Sequence, residues 1–253
     1  MILFASDLDN TLIYSYRHDI GAAKRCVEIY QGREISFVTE RTHALLKEIK
    51  KRVLFVPVTT RTVEQYERID LGVGVPEYAL TCNGGVLLVN GREDDAWYEQ
   101  SLRLVSDGAD ALSYGERLLE QDKNRCFEVR NIRGLFIFTK SEKPLALIAH
   151  LREKLDCEMA DVFCNGSKVY IVPKKLKKGA AVLRLKEKLK ADRIIAAGDS
   201  EFDISMLNCA DLAFAPRELS RAKGIYKRVE FVERERVFSE VMLEILSKNV
   251  GRI

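Results

Sequence analysis

Two aspartates one residue apart, Asp7 and Asp9, stand at the end of the first apolar run, in Phe4-Ala5-Ser6-Asp7-Leu8-Asp9-Asn10-Thr11. The run from Ile2 to Ala5 is short and apolar, as a buried central strand would be. Alternation along a strand 2–8 projects residues 7 and 9 the same way. Two carboxylates so placed repel each other, and burial raises the pKa of at least one. A cation between them relieves the conflict, after which one can attack while the other handles protons. Asp-Asn-Thr is also good turn chemistry, so this motif alone leaves a surface turn open.

Three further segments carry complementary groups. Val56-Pro57-Val58-Thr59-Thr60-Arg61 ends an apolar run in hydroxyls and a guanidinium. Lys177-Lys178-Gly179 opens a helix. Ala197-Gly198-Asp199-Ser200-Glu201-Phe202-Asp203 runs into a glycine and two acids spaced by four. Each has a local reading as well. Thr59 and Asp199 could cap the helices after them, and Asp203 could be an ordinary first-turn acid. The run Lys174-Lys175-Leu176-Lys177-Lys178 reads as a solvated face for three of its four lysines.

All four segments nevertheless fall at or just beyond the C-terminal end of a predicted parallel strand, the edge where open α/β sheets bind ligands. A carboxylate nucleophile, a neighbouring acid, a hydroxyl and an ammonium for phosphate oxygens, and a distant acid for a metal complete a set for phosphoryl transfer through an aspartyl phosphate. Phosphate would be repelled by these acids without Mg²⁺, which prefers octahedral oxygen ligands and shares them with phosphate.

The elements that must position these groups follow an alternating pattern. After the strand 2–8 come an irregular flap from Tyr14 to Lys24 and a small hairpin around Gly32. Thr39 caps a helix 40–51, followed by a strand Val53 to Val58, a helix near 62–70 and a strand Tyr78 to Cys82. Such alternation predicts a parallel sheet with crossover helices. From Gly84 the rhythm changes. A strand 86–89, a helix 103–121, strands 126–130 and 134–139, a helix from Pro144 to about 155, and strands 158–164 and 168–173 joined at Asn165-Gly166 make an α+β module. The parallel pattern returns with helix 179–190, strand 194–197, helix 202–208, strand 212–215 and helix 236–248. The fold class is α/β: a Rossmann-like parallel-sheet core, residues 1–84 and 174–253, interrupted by an inserted α+β cap domain, residues 85–173.

The bulk numbers narrow the function classes. The 253 residues are 47% hydrophobic and 31% charged, ordinary for a globular chain. The 41 basic and 38 acidic residues leave a formal charge of +3, too weak and too evenly spread to announce nucleic acid or a membrane surface. No apolar stretch approaches the roughly 20 residues of a membrane span. The first apolar run ends in two aspartates within ten residues, unlike a signal peptide. Cys26, Cys82, Cys126, Cys157, Cys164 and Cys209 contain no pair at CxxC spacing. They read as buried, reduced thiols of a cytoplasmic protein, neither a disulfide frame nor a zinc site.

The four segments in this order resemble the haloacid dehalogenase superfamily over essentially the whole chain. Asp-Leu-Asp-Asn-Thr is similar to its DxDxT signature, which implies Asp7 as nucleophile and Asp9 as general acid/base. Thr59 matches the second-motif hydroxyl, Lys178 the third-motif lysine, and Gly198-Asp199 with Asp203 the GDxxxD motif. The insertion, preceded by Cys82-Asn83-Gly84-Gly85, resembles the cap of the Cof-type and sucrose-phosphate-phosphatase-like branch. Two departures stand out: Thr60 replaces a usual Gly after Thr59, and Phe202 replaces a usual Asn.

The resemblance implies a phosphatase holding Mg²⁺ through Asp7, the Asp9 carbonyl and Asp199, with Asp203 one layer further out. It implies a substrate phosphate on Thr59, Lys178 and backbone N–H groups near Asn10 and Thr60, under a cap that closes over the site and selects the leaving group. The expected partner is a small phosphorylated metabolite such as a sugar phosphate, with no nucleic acid and no membrane. Neither oligomeric state nor the residues that choose the substrate can be read. Two other readings stay open: a phosphosugar mutase of the phosphomannomutase kind, and a phospho-ligand binding protein without turnover.

Overall fold

The apolar run Ile2–Ser6 forms β1, and such a run needs cover on both faces, which a parallel sheet obtains from crossover helices. The computed structural model describes residues 1–233 and 235–250. β2 (Tyr14–Ser15), β3 (Lys24–Tyr30) and β4 (Arg33–Thr39) form a small antiparallel sheet in the order β2-β4-β3. Thr39 then caps α1 (Glu40–Ile49) by accepting from the Thr42 N–H. β5 (Leu54–Pro57), α2 (Val63–Tyr66), β6 (Tyr78–Thr81), β7 (Val86–Val89) and β8 (Arg92–Glu93) follow. Next come α3 (Asp95–Val105), α4 (Ala109–Glu120), β9 (Arg130–Ile132), β10 (Phe136–Lys140), α5 (Pro144–Lys154), β11 (Ala160–Asn165) and β12 (Lys168–Pro173). The chain ends in α6 (Lys178–Leu189), β13 (Arg193–Ala197), α7 (Ile204–Cys209), β14 (Leu212–Pro216), β15 (Glu230–Val232) and α8 (Phe238–Val250).

The main sheet is parallel throughout, in the order β15-β14-β13-β1-β5. From β1 the chain builds first to the β5 side and later returns on the β13 side. β1 and β13 therefore border the switch point, where the loops beyond the strand ends diverge and leave a crevice. Side-chain alternation sends Phe4, Phe55, Ile195 and Phe214 into one core with Leu46 and Ile49 of α1 and Met242, Leu243 and Leu246 of α8. On this face α1 packs against α8, while α6 packs against α7.

The chain divides into two compact units: Met1–Asp94 with the segment from Lys178 onward, and Asp95–Lys177. The second unit is an antiparallel sheet, β11-β12-β10-β9. Its Ile137, Val169 and Ile171 pack with Leu112 and Leu119 of α4 and Leu147 and Leu151 of α5.

Several expectations are corrected. The strand expected at 78–82 is β6, which pairs antiparallel with β7 rather than joining the parallel sheet. The helix before it is one turn, not nine residues, and Gly72 and Gly74 follow at positive φ, so no crossover helix carries the chain to a parallel position. Residues up to Asp94 thus pack with the first unit, whereas the insertion was expected to begin at 85; its far end lies at Lys177 rather than 173. The expected helix 103–121 is two helices: Trp97, Ser101 and Val105 give α3 its buried stripe, and a turn at Ser106–Gly108 separates it from α4. The strand expected at 126–130 lies at Arg130–Ile132, β15 was not anticipated, and β1 stops at Ser6 instead of residue 8. No disulfide joins the six cysteines; Cys82 is buried, but Cys126 and Cys157 are exposed, so the expectation of uniform burial fails. Among the described residues no helix is long and apolar enough to cross a membrane. Residue 234 and residues 251–253 of the expected core lie outside the described residues.

Where α6 meets α7, Gly179 has no room for a side chain: a Cβ there would lie 2.2 Å from the Ser205 carbonyl oxygen. The backbones touch, which brings Lys178 to the site. Gly179→Ala should therefore lower the unfolding free energy by roughly 1–3 kcal/mol, read from the urea midpoint, because the obstacle is backbone and cannot rotate away.

Candidate functional site

Loops leave the C-terminal ends of β1, β5 and β13 side by side. Ser6 pairs with Ala197 and with Pro57, the Asp7 N–H donates to the Ala197 carbonyl at 2.9 Å, and the Val58 N–H donates to the Ser6 carbonyl at 2.8 Å. Asp7, Thr59 and Asp199 thus emerge from three adjacent strands at one edge. Lys178 reaches the same place from the start of α6, and its ammonium is the centre of the arrangement. Its Nζ donates to Asp7 Oδ1 at 2.6 Å and to Asp203 Oδ1 at 2.7 Å, with the lysine only 1% exposed.

Asp203 is fully committed. While Oδ1 takes Lys178, Oδ2 accepts from the Asp199 N–H (3.1 Å), the Ser200 N–H (3.0 Å) and the Ser200 hydroxyl (2.8 Å). Asp203 thereby folds the loop that presents Asp199. Gly198 makes room for it, since a Cβ there would lie 2.3 Å from Asp203 Cβ. Asp199 accepts from the Thr11 hydroxyl at 3.2 Å, and its carboxylate lies within 4.8 Å of that of Asp7.

Ligand oxygens of Asp7, Asp199 and Asp203 all lie within 4.8 Å of one another. Burial pushes the Asp7 carboxyl well above the usual carboxylate range; Lys178 opposes this, and Asp203, Asp199 and Asp9 add to it. Burial, and then Asp203, push Asp199 up to about 7. Burial works against the charge of Lys178, but Asp203 and Asp7 outweigh it and raise its pKa. These are hard oxygen donors in a pocket short of positive charge, which suits Mg²⁺. With Asp203 spent on Lys178 and its own loop, Asp7 and Asp199 are the carboxylates left for an ion.

Asp9 stands apart from this cluster. Arg61 forks onto it, Nε to Oδ2 and Nη2 to Oδ1, both at 2.8 Å. The expectation of two aspartates facing one shared cation is corrected: β1 ends before either, and each carboxylate turns to its own partner. Thr59 is buried; its hydroxyl oxygen accepts from the Arg61 N–H at 3.1 Å, and among the described residues its own hydrogen has no acceptor. It caps no helix, because Thr62 caps α2. Thr60 is half-buried beside it. Asn10, expected to offer an N–H to phosphate, donates that N–H to the Ile13 carbonyl at 2.8 Å, so it is already used.

Asp199 is likewise no cap; Ser200 and Asp203 form a capping box on the turn that follows. Of the four lysines, Lys174 pairs with Asp161, Lys175 pairs with Asp107, Lys177 is exposed, and only Lys178 is buried. Phe202 is buried.

Four contributors were not anticipated: Thr11, Ser200, Arg61 and Glu28, whose carboxylate holds the third arm of Arg61 at 2.8 Å. The first three lie inside the motif segments, where spacing could have flagged them. Glu28, on β3, carries no local signal. A further clamp comes from Cys82–Gly84, three successive residues at positive φ. Their N–H groups grip the Thr59–Arg61 loop, Cys82 donating to the Arg61 carbonyl (2.8 Å) and Asn83 to the Thr59 carbonyl (2.9 Å).

Residues 87–218 match the family model described as haloacid dehalogenase-like hydrolase. The chain is 26% identical over 215 residues to phosphoglycolate phosphatase 2 of Saccharolobus solfataricus, covering 82% of this chain and 83% of that protein. Among solved structures, the sucrose-phosphatase of Synechocystis, in complex with sucrose and phosphate, aligns with a TM-score of 0.64 at 17% identity, covering 98% of this chain and 97% of that one. A trehalose-6-phosphate phosphatase related protein aligns over the whole of both chains with a TM-score of 0.54 at 14% identity. At these identities the structural likenesses establish the fold.

Removing Asp203 should be costly. Asp203→Ala would leave a buried ammonium with one anion and strand three donors, so stability should fall by about 3–5 kcal/mol in urea denaturation. A loss under about 1 kcal/mol would mean that Lys178 does not depend on it.

Proposed function

The chain belongs to the haloacid dehalogenase-like hydrolase family and is a phosphatase, and from that premise we propose that it hydrolyses a small phosphomonoester through an aspartyl phosphate on Asp7. The observation that supports this most is the buried Lys178 ammonium bridging Asp7 and Asp203, with an Asp199 oxygen within 4.8 Å of Asp7. A carboxylate fixed in place by an ammonium, beside donors for phosphate oxygens, is positioned as an attacking group would need to be.

Asp7 attacks phosphorus in line, and a P–O bond to its carboxylate forms as the ester P–O bond breaks. The departing alcohol oxygen takes the proton of Asp9. In the second half, Asp9 takes a proton from water, the water oxygen attacks phosphorus, and Asp7 and inorganic phosphate are released. Lys178, the Thr59 hydroxyl and the Thr60 N–H donate to the phosphoryl oxygens. Asp7, Asp199 and the Asp9 carbonyl would hold Mg²⁺, which supplies positive charge against the repulsion between phosphate and acids.

The names of the relatives, sucrose-phosphatase, trehalose-6-phosphate phosphatase related protein and phosphoglycolate phosphatase, support a sugar phosphate or a similarly small substrate.

With p-nitrophenyl phosphate and Mg²⁺, phosphate release should be abolished in Asp7→Asn and lowered roughly 10²–10³-fold in Thr59→Ala, as for other charge-stabilising donors. A chelator should remove the activity and Mg²⁺ restore it. Equal turnover by the native chain and Asp7→Asn would end this reading. Screening sugar phosphates, phosphoglycolate and nucleotides should then identify the substrate, and phosphate release without a sugar bisphosphate would exclude a mutase.

A further inference from the structure

Glu28 is 1% exposed on β3, at a bulge where the register with β4 slips on both sides of it. A buried carboxylate is costly unless each lone pair finds a donor. Oε2 accepts from the Ser36 hydroxyl at 2.6 Å. Oε1 accepts from Arg68 Nε at 3.1 Å and from Arg61 Nη1 at 2.8 Å. Although burial opposes its charge, these partners hold the carboxyl below the usual glutamate range. Backbone contacts tie the same strand to the end of the Arg61 segment, through a bridge from Glu28 to Ile69 and the Asp70 N–H on the Val27 carbonyl at 2.9 Å.

Arg61 is thus held in three places. Its carbonyl is gripped by Cys82, Nη1 by Glu28, and Nε with Nη2 face Asp9. A guanidinium is planar and rigid, so fixing one arm fixes the plane that the other two offer to a carboxylate. Arg68 already supplies Glu28 with a cation, so burial of Glu28 does not by itself require Arg61.

We propose that Glu28 is a remote positioning residue for proton transfer, acting through Arg61 to orient the carboxyl of Asp9. This rests on the phosphatase reading, in which Asp9 gives its proton to the leaving oxygen. As the ester P–O bond breaks, its electron pair stays on that oxygen and takes the proton, leaving Asp9 a carboxylate. Both Asp9 oxygens sit on Arg61 in this structure, as a carboxylate's do, so the acid form turns one oxygen out of the fork to carry the proton; Arg61 takes that oxygen back as the proton leaves, and Glu28 keeps Arg61 in place.

Leaving-group dependence tests this, because an alkyl ester needs the proton and a nitrophenyl ester hardly does. Native chain, Asp9→Asn, Glu28→Gln and Arg61→Lys are compared on p-nitrophenyl phosphate and on an alkyl phosphomonoester that the native chain hydrolyses, with kcat and KM measured separately. The expected result is a kcat loss at least about tenfold larger on the alkyl ester for Glu28→Gln and Arg61→Lys, a milder copy of Asp9→Asn, within the range of acid–base effects. KM should change little. Should Glu28→Gln fail to fold, Arg61→Lys and Ser36→Ala carry the comparison, the latter weakening Glu28 without removing a charge. Equal losses on the two esters, in a native chain whose turnover requires Asp7, overturn the proposal. A native chain that hydrolyses neither ester, or an Asp7→Asn variant that still does, overturns the phosphatase reading instead.

Discussion

A buried ammonium held between two buried carboxylates organises this molecule. Lys178 can lose its water only because Asp7 and Asp203 replace it, and each carboxylate is tolerable there because of Lys178. The three groups come from the first strand, the first helix after the insertion and the loop after β13, so their contact ties sequence-distant segments into one edge. The rest of the local structure serves that contact. Gly179 lets α6 press against Ser205, Gly198 admits the Asp203 side chain, and Asp203 spends its second oxygen on the loop that carries Asp199.

Sheet order explains why the contact falls where it does. With β1 and β13 adjacent and the chain leaving to opposite sides, their loops part and the crevice between them is open at the strand ends. Asp7 and Asp199 occupy its two lips. Thr59 joins from the next strand over, and its loop is gripped from behind by the left-handed turn at Cys82–Gly84. Asn83 at φ 59° tolerates that conformation better than most residues, and a strained turn of this kind persists where the surroundings fix it.

What could be read from residues alone follows a physical boundary. Dense apolar runs such as Ile194 to Ala197 announce buried parallel strands, and glycine, acid and hydroxyl groups at their ends announce a ligand edge, so the parallel core was legible. Lys178 was separable from its neighbours only by its place at a helix start beside Gly179. The hairpin β6–β7 was misread as part of the parallel core because strand, short helix and strand look alike in sequence whether or not the helix is long enough to cross the sheet. Glu28 was invisible. A glutamate in a bulged strand has no periodic signature, and its charged partners Arg61 and Arg68 lie more than thirty residues away.

Charge balance separates the site into two parts. Asp9 and Glu28 face Arg61 and Arg68, two anions against two cations, so this arm is neutral when all four are charged. Asp7, Asp199 and Asp203 face Lys178 alone, which leaves that arm two charges negative when all three are ionised. Burial with this deficit is what raises Asp7 and brings Asp199 to about 7. A divalent cation supplies the two missing charges, whereas a monovalent one supplies half, and a phosphate approaching the bare cluster would meet repulsion. The pairing of a balanced arm with a deficient one is therefore a reason for Asp9, held by Arg61, to stay outside the acidic cluster, and for a divalent cation to suit Asp7 and Asp199 rather than Asp9.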